Sequence, residues 1–120
     1  MCGICGLYGL QSFDDLDRII RRMSQTIAHR GPDGEGTFVG EGIALGHRRL
    51  SIIDLSSAGA QPMTLGAATV AYNGESYNFP QLRSELEALG HVFRGHSDTE
   101  VLLHAYEAWG LGGLERLEGK

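Results

Sequence analysis

A mixed α/β fold is what this sequence predicts, on three observations. Residues 14–29 carry apolar side chains at helical spacing, several short β-rich stretches are punctuated by Gly, Ser and Asp, and a Ser-x-x-Glu pattern opens a later apolar run. With 120 residues, 42% of them apolar and 21% charged, the chain has the length of one domain or part of one and the composition of a folded protein.

The elements follow in order. Ile4 to Leu10 reads as a glycine-interrupted strand, since Gly3, Gly6 and Gly9 make a poor helix. From Asp14 to His29, the residues Leu16, Ile19, Ile20, Met23 and Ile27 recur at helical intervals, giving an amphipathic helix begun by Ser12 or Asp14 and stopped by Gly31-Pro32. Arg18, Arg21 and Arg22 lie off that stripe, on a solvated face. Thr37 to Val39, Ile43 to Gly46, Leu50 to Ile53 and Thr69 to Tyr72 read as short strands. Asn78-Phe79-Pro80-Gln81 starts a second helix, with Leu82, Leu86 and Leu89 on one face and Gly90 as its stop. Ser97-Asp98-Thr99-Glu100 is a capping-box pattern opening a third helix through Trp109, with Leu102, Ala105, Tyr106 and Trp109 inward and Gly110 ending it. Leu114 to Lys120 begins a further short helical pattern.

Composition removes several function classes. Ten Lys and Arg against fifteen Asp and Glu leave a net charge of −5, which disfavours a nucleic-acid or anionic-membrane partner. No apolar run approaches the roughly 18 to 20 residues that span a bilayer, and no secretory signal opens the chain, so a cytoplasmic address is expected. Phosphate-loop, dinucleotide, His-Glu-x-x-His and Gly-x-Ser-x-Gly signatures are missing. The five histidines show no ligand spacing, and no metal site is expected.

Two cysteines, Cys2 and Cys5, supply neither a zinc site nor a disulfide framework. Removal of Met1 would leave Cys2 with a thiol and a free α-amine on one residue. Groups of these kinds ordinarily titrate at about 8.5 and about 7.7 to 8.0, so they can exchange a proton near neutrality and make a nucleophile with its own base. A small buried residue near a terminus is the alternative. Three clusters also stand out: His29-Arg30-Gly31-Pro32-Asp33-Gly34, Gly46-His47-Arg48-Arg49-Leu50-Ser51-Ile52-Ile53-Asp54, and Tyr72-Asn73-Gly74-Glu75-Ser76-Tyr77-Asn78. The first carries turn chemistry. In the second, an arginine could grip a carboxylate or form a surface salt bridge. Asn73-Gly74 is a strong hairpin dipeptide, and equally an amide and an N–H that could converge on a developing oxyanion. Asp98 could simply complement its helix dipole.

The joint order of these clusters, with Met1-Cys2-Gly3-Ile4, Gly59-Ala60-Gln61-Pro62-Met63 and Ser97-Asp98-Thr99-Glu100, closely resembles the glutaminase domain of glutamine-dependent asparagine synthetases. These are class II amidotransferases of the N-terminal-nucleophile type. The resemblance runs over essentially all of 1–120 and implies the αββα sandwich of that class, incomplete at its C-terminal side. It implies glutamine hydrolysis to glutamate and ammonia, the ammonia serving ATP-dependent asparagine synthesis from aspartate. Cys2 would be the nucleophile, Asn73 with the Gly74 N–H the oxyanion hole, Arg49 the holder of glutamine's α-carboxylate, and Glu75 and Asp98 the binders of its α-ammonium or nearby polar groups. The implied partners are glutamine and a synthetase domain not contained in these residues, and the full-length form is compatible with a homodimer. No cofactor is expected here; ATP and Mg are expected in the missing domain.

Two departures accompany the resemblance. Ser76 stands where an apolar residue, commonly Ile, is usual, a change expected to cost about 1 to 3 kcal/mol if the site is buried. The sequence also ends where an apolar strand would follow, so it reads as a fragment with unpaired strands, expected to be poorly soluble or self-associating. Two other readings remain: a catalytically silent remnant or interaction module, and the glutaminase part of a related amide-forming synthetase with another acceptor.

Overall fold

The computed structural model describes residues 1–9, 12–51 and 55–120. Antiparallel sheets and helices alternate in the order β1 (Gly3–Tyr8), α1 (Phe13–Thr26), β2 (Gly34–Gly40), β3 (Ile43–Arg49), β4 (Met63–Leu65), β5 (Ala68–Val70), α2 (Phe79–Ala88), α3 (Asp98–Trp109) and α4 (Leu111–Glu115). This is the mixed α/β class the sequence predicts, and it is consistent with an N-terminal-nucleophile fold. The chain divides into two compact units, one of Met1–Ile52, Ala60–Pro62 and Ala71–Asn73, the other of Ile53–Gly59, Met63–Val70 and Gly74–Lys120.

In the first unit, β3 lies between β1 and β2, antiparallel to both. Gly42, at φ 70°, supplies the left-handed residue that closes the β2–β3 turn. Helix α1 starts at Ser12, whose hydroxyl accepts the Asp15 N–H at 3.3 Å. It buries Leu16 and Ile20 against Ala44, with Cys5, Leu7, Met23 and Val39 around them. Gly46 is required under this helix: a Cβ there would come within 2.7 Å of Cys5 Sγ and 3.3 Å of Ile20. The same burial pushes the Cys5 thiol pKa up, partly offset by the Gly46 backbone. On the other face of the sheet, Ile4 is 49% and Tyr8 87% exposed.

In the second unit, α2 and α3 join through Leu82, Leu86, Val101 and Ala105, flanked by Phe79, Phe93, Trp109 and Leu117. Full burial of a leucine such as Leu86 contributes about 1.5 to 3 kcal/mol. Ser97 caps α3 by accepting the Glu100 N–H at 3.2 Å. The Glu100 carboxylate in turn accepts the Arg94 and Gly95 N–H groups, at 2.6 and 2.9 Å. Gly110, at φ 60°, ends α3 and admits α4, which begins earlier than the expected 114–120 pattern.

Several expectations need correcting. Leu50 and Ser51 are not in a strand, because their N–H groups go to Cys2 Sγ and the Asp33 carboxylate rather than to a ladder. Ile52 and Ile53, which complete that expected strand, Asp54, which closes its motif, and Leu10, the expected end of β1, lie outside the described residues. The strand expected to reach Tyr72 ends at Val70, since the Tyr72 N–H is taken by the Gln61 side chain. Helix α1 ends at Thr26 in place of His29, its last turn passing into a 3-10 turn over Ala28–Arg30. Leu89 is 62% exposed because it sits at the C-cap, beyond the packed face of α2. Tyr106 is 42% exposed: α3 meets both α2 and the β4–β5 hairpin, and two-sided burial blurs a one-face reading.

Candidate functional site

The first unit assembles its polar groups around the C-terminal end of β3. The β1–β3 register opposes Gly3 to Arg48, which carries the preceding residue, Cys2, to the Arg49–Leu50 end of β3. Cys2 Sγ accepts the Leu50 N–H at 3.4 Å and lies 3.6 Å from the Leu50 carbonyl. Both cysteines are free thiols. The cluster 29–34 brackets the same strand end. Gly31 fits because a Cβ there would collide with the Arg48 and Arg49 backbone, and the Asp33 N–H donates to the Arg49 carbonyl at 2.9 Å. The Asp33 carboxylate accepts the Ser51 N–H at 2.9 Å.

The two arginines have different settings. Arg48 is committed to Glu35 at 2.5 Å and to the Gly31 carbonyl at 3.3 Å. Arg49 stands opposite Gly34 in the β2–β3 register, and its Cβ and Cδ would lie 3.5 and 3.9 Å from a Cβ at that glycine. The absent side chain at 34 therefore leaves room for the arginine stem.

Asn73 is held through its neighbour. The Tyr72 N–H donates to Gln61 Oε1 at 2.6 Å, and the Tyr72 carbonyl lies 3.2 Å from His47 Nε2. A carbonyl only accepts, so Nε2 carries the proton. His47 is 1% exposed, and its burial pulls the imidazole pKa down, opposed by the Tyr72 carbonyl and aided by the charge of Arg49. A neutral ring with Nε2 protonated leaves Nδ1 as an acceptor, and that atom is buried without a partner. Asn73-Gly74 does not form a hairpin turn, and Gly74 is absent from the glycines with positive φ. The peptide instead carries the chain from the first unit to the second.

The remaining expected site residues belong to the second unit. Asp98, 6% exposed, occupies the first turn of α3 and accepts the Ser76 N–H at 2.9 Å. Burial pushes its carboxyl pKa up; N–H donors from Ser76, Thr99 and Asp98 itself oppose this, and the charge of Glu75 adds to it. Glu75 exchanges two backbone hydrogen bonds with Lys120, at 2.7 and 2.9 Å, and the Tyr77 N–H donates to the Glu118 carbonyl at 2.6 Å. Ser76 is buried, but its hydroxyl is 3.2 Å from Asn78 Oδ1. The polar side chain is thus hydrogen-bonded, and Asn78 also ties in Arg116 and Glu118 at 2.8 and 2.9 Å.

Cys2, Arg49 and Asn73 thus share the first unit, while Gly74, Glu75 and Asp98 share the second. Chemically, the first offers a thiol, a guanidinium and an amide; the second offers two carboxylates. Sequence reading missed His47 and Gln61, which act on Tyr72 through tertiary contacts; their places inside the two quoted motifs were the only available signal. Among the described residues, no helix is long and apolar enough to cross a membrane.

Comparison with known proteins covers the whole chain. Residues 1–120 match the family model described as a glutamine amidotransferase domain. Asparagine synthetase [glutamine-hydrolyzing] 1 of Bacillus subtilis is 43% identical over 124 residues, spanning 99% of this chain and 20% of that protein. The probable asparagine synthetase [glutamine-hydrolyzing] of Dictyostelium discoideum is 38% identical, over 99% of this chain and 22% of its own length. Asparagine synthetase [glutamine-hydrolyzing] 1 of Arabidopsis thaliana is also 38% identical, over 99% and 20%. The chain spans about a fifth of the length of these curated relatives.

Proposed function

This chain belongs to the glutamine amidotransferase domain family, and from that premise we propose that it is the N-terminal part of a glutaminase domain that releases ammonia from glutamine with Cys2 as nucleophile. The observation that carries the reading is the lodging of Cys2 Sγ against the Leu50 amide, one residue beyond Arg49. Once Met1 is removed, the Cys2 α-amine takes the thiol proton and the thiolate attacks the carboxamide carbon. The tetrahedral oxyanion is stabilised by the Asn73 amide and the Gly74 N–H. Collapse breaks the carbon–nitrogen bond, and the protonated α-amine returns its proton to the departing ammonia. Water then hydrolyses the γ-glutamyl thioester to glutamate and restores the thiol.

Arg49 is assigned to glutamine's α-carboxylate, and Glu75 and Asp98 to its α-ammonium or adjacent polar groups. One cation and two anions thereby complement a zwitterion. His47 is a positioning residue: it acts on Asn73 through the Tyr72 carbonyl. The ammonia is assigned to asparagine formation from aspartate in a synthetase domain elsewhere in a longer protein, where ATP and Mg would act. The names of the relatives and the exposed Ile4 and Tyr8 on one sheet face support that larger setting.

Intact mass and glutamate release, measured together, test the reading. Loss of Met1 with glutamate release that vanishes in Cys2→Ala is expected. Retained Met1, or release unchanged by the substitution, would remove the nucleophile.

A further inference from the structure

We propose that His91, His104 and Glu107 form a binding site for one divalent transition-metal ion of the zinc class, separate from the glutamine residues. The three ligand atoms lie within 4.8 Å of one another. His91 Nδ1 is 2.8 Å from His104 Nδ1, and the Glu107 carboxylate is 3.7 and 3.8 Å from these two nitrogens. Tetrahedral coordination with bonds of about 2.0 to 2.1 Å needs ligand separations of about 3.3 to 3.4 Å, so shifts of about half an ångström convert the cluster into three corners of a tetrahedron. The imidazole planes cross at 89°, with both Nδ1 atoms directed into the shared space.

The surroundings fit the same role. His104 is 4% exposed, and the Phe93 ring lies 4.2 Å from its own, giving an apolar wall. Its Nε2 is buried without a hydrogen-bond partner and faces Glu100 Oε1 at 3.7 Å. Glu100 is itself fixed by the Arg94 and Gly95 N–H groups. Coordination through Nδ1 puts the His104 proton on Nε2, directed at that carboxylate, which is how ligand histidines are commonly oriented. Without metal, the 2.8 Å contact between the two Nδ1 atoms holds one proton between the rings. With metal, the ion takes that space and the His91 ring is protonated at Nε2 instead. Imidazole and carboxylate ligands suit zinc-class ions, and Glu107, about half exposed, leaves the fourth position to water.

Titration of the chelator-treated chain with Co2+, followed by displacement with Zn2+, tests the site. One equivalent of Co2+ with the visible absorption of a tetrahedral N/O complex is expected, displaced by one equivalent of Zn2+. Glu107→Gln and His91→Gln change partly exposed groups, and circular dichroism checks that each variant is folded. Each should weaken binding by at least about tenfold, the lower figure for losing even a group that only orients a ligand, while His29→Gln should leave it unchanged. Octahedral or superstoichiometric Co2+, a sulfur-to-cobalt band reporting capture by Cys2 and Cys5, or unchanged affinity in folded His91→Gln would each overturn the proposal. None of these outcomes depends on glutamine turnover.

Discussion

The first unit is organised by a strand end, the second by a helix start, and they treat charge differently. Around β3, the guanidinium of Arg48 is neutralised by Glu35 and the buried His47 is neutral, so the polar groups are fixed by hydrogen bonds with little buried charge. At the start of α3, Asp98 and Glu100 are both buried carboxylates held largely by backbone N–H groups. The first arrangement orients groups at small electrostatic cost. The second retains an acid whose ionisation burial opposes, which is what a site for a cationic group requires.

The largest effect that could break this contrast is expected at the two arginines. Arg49→Ala should lower kcat/KM for glutamine by the equivalent of about 2 to 5 kcal/mol, the range for truncating one partner of a buried charged contact. Arg48→Ala should act mainly on stability, because its partners are Glu35 and Gly31. Steady-state glutamate release and urea unfolding of both variants decide this; equal kinetic losses would erase the distinction. Next come the two cores. Leu86→Ala and Leu16→Ala should each cost about 2 to 5 kcal/mol. Trp109, the single tryptophan, belongs to the second unit. Its fluorescence transition should move more with Leu86→Ala than with Leu16→Ala, and identical shifts would mean that the cores unfold as one.

The carboxylate side of the contrast predicts a smaller and opposite outcome. A raised folded pKa means that Asp98 contributes stability below its ordinary value of 3.8 and loses it as pH rises through the folded value. At neutral pH, Asp98→Asn should therefore leave stability unchanged or raised while weakening glutamine binding, as thermal unfolding and KM would report. Lower stability with unchanged KM would make Asp98 a helix-start residue only. For His47 the sign reverses. Its folded pKa lies below the ordinary 6.5, so its stabilising contribution is present above that value and declines as pH falls from 6.5 through the folded pKa. Urea midpoints between pH 7 and pH 5 should fall more in the parent chain than in His47→Gln.

What sequence could reveal depended on how local each signal was. Helix α1 was legible because one face meets one sheet, and Ser97 and Gly110 marked the ends of α3 through neighbours in sequence. Leu50, Ser51 and Tyr72 read as strand residues in sequence, but their hydrogen bonds go to Cys2, Asp33, Gln61 and His47, some of them far away in the chain. The proposed site residues stand in motifs that the sequence displays, but Asp98's bond to Ser76 spans 22 positions and needs the fold. Ser76 illustrates the same point: its polarity looked like a loss of packing, yet Asn78 supplies a partner.

A chloroketone analogue of glutamine, followed by peptide mapping in a mass spectrometer, tests the nucleophile most directly. The account predicts one adduct, on the sulfur of a Cys2 that has become the first residue, suppressed by glutamine and by Arg49→Ala. An adduct on Cys5, or labelling of Cys2 that glutamine does not slow, would contradict it.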